Sequence, residues 1–158
     1  MMIRMLKLAP VLLSLAALLN AAELPSKKYL NLAAVKTMAA AAEAEMQKRN
    51  VNVSICIVDE SGNLLFLQKG EGVGLTTIQF AQKKARHAAL YRRPSAVAAD
   101  QLKGGNMQLL VNPDAFPNQG GLPIQVDGQT IGAIAASGAA SEVDEAIAQA
   151  GIDALLKK

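Results

Sequence analysis

The stretch VNVSICIVDESGNLLFLQKG, residues 51–70, decides the fold. Val53, Ile55 and Ile57 alternate with Ser54, Cys56 and Val58, the two-residue period of a strand. Both sets are largely apolar, which predicts a central strand covered on both sides. Glu60-Ser61-Gly62-Asn63 reads as a turn, and Leu64 to Gln68 returns as the hairpin partner. A second hairpin follows the same logic: Leu122 to Val126, a turn at Asp127-Gly128, then Gln129 to Ser137. Met107 to Val111 predicts one more strand and a five-stranded sheet.

Outward from the hairpins the period changes to that of helices. Leu32, Val35, Ala39, Ala42 and Met46 recur at three- and four-residue steps within Leu30 to Arg49, and Asn31 is placed to cap that helix. Thr76 to Tyr91 and Ser95 to Leu102 read as helices separated by Pro94. A last helix from Ser141 to Leu156 is announced by Ser141 with Asp144 and Glu145. The loop NPDAFPNQGG, residues 112–121, follows from composition alone. The expected order is α-β-β-α-α-β-β-β-α, an α+β domain with an antiparallel sheet flanked by helices.

At the N-terminus, Arg4 and Lys7 precede an apolar run from Leu8 to Leu19, followed by Ala21 and Ala22 and then Glu23. This pattern predicts a secretory signal peptide over residues 1–22 and a single domain over 23–158. The run is short for a membrane span. The expected product is periplasmic or secreted, with no stable membrane anchor after processing. Without Arg4 and Lys7 the formal charge of +3 falls to near neutrality, so a nucleic-acid partner has little support. One Cys and one His exclude an intramolecular disulfide framework and a zinc site built from His and Cys. Aromatics are only 3%, so the core must be aliphatic.

The helix 76–91 carries the most chemistry. Ile78, Ala81, Ala85 and Ala89 form a sheet-facing stripe, while Thr77, Phe80, Lys84, His87 and Tyr91 fall on another arc. A solvated face seldom carries Phe, His and Tyr in one row. The row either contacts a second subunit or lines a ligand pocket. Lys83, Lys84, Arg86, Arg92 and Arg93 form either a solvated basic face or partners for an anionic group. Gly120-Gly121 either makes a tight turn or presents amides to an anion.

Four stretches together carry a resemblance: IVDESGNLLFLQKGEGV (57–73), TTIQFAQKKARHAALYRRPS (76–95), GGLPIQVDGQTIGAIAASG (120–138) and DEAIAQAG (144–151). In order and spacing they resemble the GlcG/HbpS family of haem-binding, haem-degrading proteins, related to the C-terminal domain of PduO-type proteins. The resemblance covers about residues 30–158. It implies a profilin-like fold, assembly into homo-oligomers and haem as cofactor; it does not imply one agreed enzymatic activity. The chain departs from the family pattern at Ala135-Ala136 and at His87.

On that reading His87 is the first candidate for an axial iron ligand and Tyr91 the second. A hydroxyl ligand of the kind the resemblance suggests for some relatives would fall on Ser95. Lys84 and Arg92 would meet propionates, beside the Gly120 and Gly121 backbone. The expected function is that of an exported oligomeric haem-binding protein supporting haem degradation or haem sensing. The alternative is a small-carboxylate, glycolate-type binding protein or enzyme that uses Lys84 and the glycine amides.

Overall fold

A computed structural model describes residues 23–157; the expected signal segment lies outside them. The elements run α1 (Leu32–Lys48), β1 (Ser54–Asp59), β2 (Leu64–Lys69), α2 (Thr77–Tyr91), α3 (Ser95–Lys103), a 3-10 helix (Met107–Val111), β3 (Gly121–Val126), β4 (Gln129–Ser137) and α4 (Ser141–Leu156). The strands form one sheet in the order β2-β1-β4-β3. All three pairings are antiparallel. As the alternating pattern predicts, β1 is central, and it pairs Ser54 with Ser137 and Ile57 with Ile134 of β4.

The two faces of β1 carry different cores. Ile55 and Ile57 join Ile134 of β4, Met38 and Ala42 of α1 and Ile147 of α4 in an aliphatic layer. Cys56 and Val58 face the other way, with Ala133 and Ala135 of β4 and Ala81, Ala85, Ala88 and Ala89 of α2. Alanine at every α2 position of this apolar cluster lets the helix lie close over the sheet. Ile78, expected in the sheet-facing stripe, is only half-buried, and Ala88 takes part instead.

The helix starts follow local chemistry. Asn31 caps α1 by accepting the Ala34 N–H at 2.8 Å. Leu30, one residue earlier, is buried in the same cluster as Val35, as a hydrophobic staple requires. Ser141 does not cap α4; Ala140 holds the cap position, and Asp144 Oδ1 accepts the Ala139 N–H at 3.0 Å.

The sheet has four strands, which corrects the expectation of five. Met107–Val111 is a 3-10 helix in which only Leu109 is buried. A fifth strand needs a ladder partner, and one free edge of the sheet is β3, which carries Pro123 and so lacks one donor. The segment instead turns directly after Gly104-Gly105 and leaves Met107, Leu110 and Val111 exposed.

Candidate functional site

The α2 side of the sheet concentrates buried polarity. Ser54 and Ser137 are register partners on β1 and β4. Thr77, the first residue of α2, shares a hydrogen bond with Ser54 Oγ at 2.9 Å. Lys84 is 2% exposed, and its ammonium donates to Asp144 Oδ2 at 2.9 Å and to the Ala136 carbonyl at 3.1 Å. A buried Lys is tolerated only when paired and hydrogen-bonded, and Asp144 meets both conditions. Above them opens a cleft of about 300 Å3 whose walls include Phe80, Lys84, Asn118, Ser137, Ser141 and Asp144.

The Phe-His-Tyr row of α2 is engaged within the chain, and its Phe80 and Lys84 also line the cleft. The loop 112–121 of the same chain lies over the row. Phe116 packs edge-on to Phe80 with centroids 5.3 Å apart, and Tyr91 donates its hydroxyl to the Pro113 carbonyl at 2.6 Å. Arg86 holds Asp114 through two bonds, at 2.7 and 3.2 Å. His87 is fully buried, stacks on Tyr91 at 4.6 Å and accepts the Phe116 N–H on Nδ1 at 3.1 Å. Burial, reinforced by the charge of Arg93, pushes its imidazole below the ordinary value. With Nδ1 held by a backbone donor, the neutral ring carries its proton on Nε2. That nitrogen is buried without a partner. In this structure His87 is thus enclosed, with one ring nitrogen engaged by the loop and the other buried.

The other sequence candidates are also committed. Ser95 is buried, and its Oγ accepts the Gly121 N–H at 2.9 Å. A Cβ on Gly121 would lie 2.4 Å from the Lys84 carbonyl, and one on Gly120 would lie 2.9 Å from the Lys84 Nζ. These glycines let β3 approach α2 closely. The Gly121 amide, already bonded, is not offered to an anion. Lys84, Ser95, Gly120 and Gly121 thus come together as a packed junction in which Lys84 pairs with Asp144. Tyr91 is half-buried with its hydroxyl engaged, and Arg92 is exposed at the α2 C-terminus.

Sequence reasoning missed two features. Asp144 was legible only as a helix-start residue, because its partner lies 60 positions away. The second is a groove of about 360 Å3 at the opposite side of the sheet, between the chain lead-in, α1, β4 and α4. Leu30, Ala34, Ile131 and Leu155 give it an apolar floor, and Lys27, Lys28 and Tyr29 stand at its rim. Tyr29 is 72% exposed. Lys27 and Lys28 pair with Glu60 and Asp127 at the two hairpin turns. The local signal was an aromatic-aliphatic pair flanked by lysines immediately before the Asn31 cap.

The fold and its sites define an α+β domain in which a four-stranded antiparallel sheet separates an aliphatic layer from an alanine-lined, polar one. The family model described as haem degrading protein HbpS-like matches residues 30–153, and the chain belongs to this family. Protein GlcG of Escherichia coli K12 is 34% identical over 112 residues, covering 71% of this chain and 84% of that protein. A double mutant of Streptomyces reticuli HbpS has a similar structure, with TM-score 0.77, 31% identity and coverage of 96% of this chain and 99% of its own. The PduOC complex with haem has TM-score 0.76 and 25% identity, covering 82% of this chain and 96% of its own.

Proposed function

We propose that this protein binds haem in the groove beside Tyr29. The observation that carries the reading is the combination, at one place, of the three chemistries a tetrapyrrole asks for. Leu30, Ala34, Ile131 and Leu155 supply an apolar floor. Lys27 and Lys28 supply ammonium groups for propionates; their present pairs with Glu60 and Asp127 are solvent-exposed and cheap to exchange. Tyr29 supplies an oxygen of a type that haem iron accepts. Family membership and the haem complex of the PduOC relative support the same ligand. When bound, haem would supply its own iron and oxygen chemistry, and the family description names its degradation. This chain's residues bind it, orient it and leave one side open to solvent.

Titration of the mature chain with haemin, followed in the Soret region, tests the reading. Saturable binding with a red-shifted Soret band is the expected result. Tyr29→Phe should alter the band positions while the floor and the lysines retain much of the affinity. A wild-type chain that leaves the haemin spectrum unchanged would overturn the proposal.

Export and self-association complete the functional picture we propose. Arg4, Lys7 and the apolar run after them support cleavage near Ala22 or Glu23. N-terminal sequencing of the product from a secreting host should begin there; a product that retains Met1 contradicts export. Among the described residues no helix is long and apolar enough to cross a membrane. Exposed Leu64 and Leu65 on the sheet edge β2 support a homo-oligomer. Light scattering of the mature chain should give a multiple of the monomer mass.

A further inference from the structure

A groove of about 370 Å3 at the β3 edge of the sheet is unused by the haem reading. Pro94, Leu122, Pro123, Ile152 and Leu156 make it apolar, and Arg92 and Arg93 stand in its wall. Its volume lies in the range of small-molecule sites. Among the described residues neither guanidinium lies within ion-pair distance of a carboxylate. The Arg93 Nε is buried without a hydrogen-bond partner, and its guanidinium lies 5.7 Å from the Tyr91 ring. A buried donor left open is costly unless a ligand or solvent completes it. The acids of the adjoining α4 turns stay outside the lining: Asp153 pairs with Lys157, and Glu145 is half-buried one turn before Gln149. The end of α2 meets the start of α3 here, so the two helix dipoles oppose one another and the arginines set the local charge.

Arg92 supplies an independent observation. It closes α2 at φ 55° and ψ 32°, the left-handed conformation that helix ends ordinarily give to Gly. The other non-glycine residues with positive φ among the described residues are Asn50, Asp114 and Asp127, types that tolerate it. Arg has no such tolerance, and Gln125 holds it there by donating Nε2 to the Arg92 carbonyl at 3.3 Å. A strained residue kept in place by its surroundings marks a side chain that is used. We propose that this groove binds a small amphipathic anion, with a carboxylate or phosphate head on Arg92 and Arg93 and an apolar tail along Leu122, Ile152 and Leu156. The planar guanidinium fork matches either head through paired hydrogen bonds. The groove meets the haem groove at Leu156 and shares no other lining residue with it.

The test is a nitrogen-15 NMR titration of the mature full-length chain, without haem, using decanoate in one arm, decyl phosphate in a second and decanol in a third. Saturable shifts of the Leu122, Gln125 and Ile152 amides are expected with at least one of the two anions, and the tighter one assigns the head. Decanol should bind at least about fivefold more weakly, since it lacks the charge-assisted bonds. Arg92→Gly should weaken anion binding about fivefold or more while its melting temperature stays the same or rises, because Gly fits the left-handed conformation. Absence of saturable shifts at these amides with both anions overturns the proposal. So does decanol binding as tightly as the anions, equal affinity in wild type and Arg92→Gly, or a lower melting temperature in that variant. Because haem is left out, failure here leaves the haem titration untouched, and the reverse also holds.

Discussion

The two sides of the sheet are built from different side chains. Toward α1 and α4 the layer is made of Met38, Ile55, Ile57, Ile134 and Ile147, all bulky and apolar. Toward α2 it is made of Ala81, Ala85, Ala88, Ala133 and Ala135, with Lys84, His87, Ser54 and Ser137 buried among or beside them. The first layer needs no polar partner and stabilises by burial, roughly 1.5–3 kcal/mol for each large side chain. The second buries little hydrocarbon and must satisfy every polar group it covers. The openings in the surface follow the same division. An apolar groove with a cationic rim opens on the aliphatic side, and a polar cleft opens on the alanine side.

Breaking the polar side should produce the largest effect. Asp144→Ala leaves Lys84 charged and alone at 2% exposure, and the loss of stability should be about 3–5 kcal/mol by chemical denaturation. The double variant Lys84→Met with Asp144→Leu should recover most of that loss, because two matched apolar chains need no pairing. A double variant as unstable as Asp144→Ala would mean that the pair itself stabilises the fold. Ser95→Ala should come next, at about 1–3 kcal/mol, since it strands the buried Gly121 N–H. An unchanged melting temperature in that variant would show that a water replaces the hydroxyl.

The smallest effect concerns pH and the loop over α2. The His87 imidazole is depressed below its ordinary 6.5 by burial, with the charge of Arg93 adding to the effect. The native state therefore holds this ring neutral, while the unfolded chain takes up the proton first as pH falls. The stability it contributes is complete above about 6.5 and declines as pH drops toward the depressed native value. Protonated His87 cannot accept the Phe116 N–H, so hydrogen-exchange protection at Phe116 should fall over that range. Asp114, held low by Arg86, titrates at more acid pH and marks a separate step. His87→Asn keeps an acceptor without the titration and should flatten the profile.

Much of this comparison was legible in the sequence. The alternation of Val53 to Val58 foretold a strand covered on both sides, and the alanine stripe foretold a helix lying close to it. Periodicity, however, reads one element at a time. It placed Phe80, His87 and Tyr91 on a common arc but could not see that the loop 112–121 returns to cover them. It identified Lys84 as unusual but not that Asp144 would neutralise it from α4. Met107–Val111 has strand-like composition, yet ladder pairing is a long-range property, and the segment closes into a 3-10 turn. The iron-ligand candidates named on the family resemblance, His87, Tyr91 and Ser95, all lie on or just after α2. The groove beside Tyr29 exists only once Leu30, Ile131 and Leu155 are brought together by folding.

The most direct test of the claim that haem belongs to the aliphatic side is a paired haemin titration of His87→Asn and Tyr29→Phe, with Soret and charge-transfer bands recorded for each ferric complex. The His87→Asn spectrum should superimpose on that of the wild type, because that ring is buried under the loop 112–121 with Nδ1 engaged, and the Tyr29→Phe bands should shift. A changed spectrum in His87→Asn beside an unchanged one in Tyr29→Phe would contradict the account and return the iron to the α2 face.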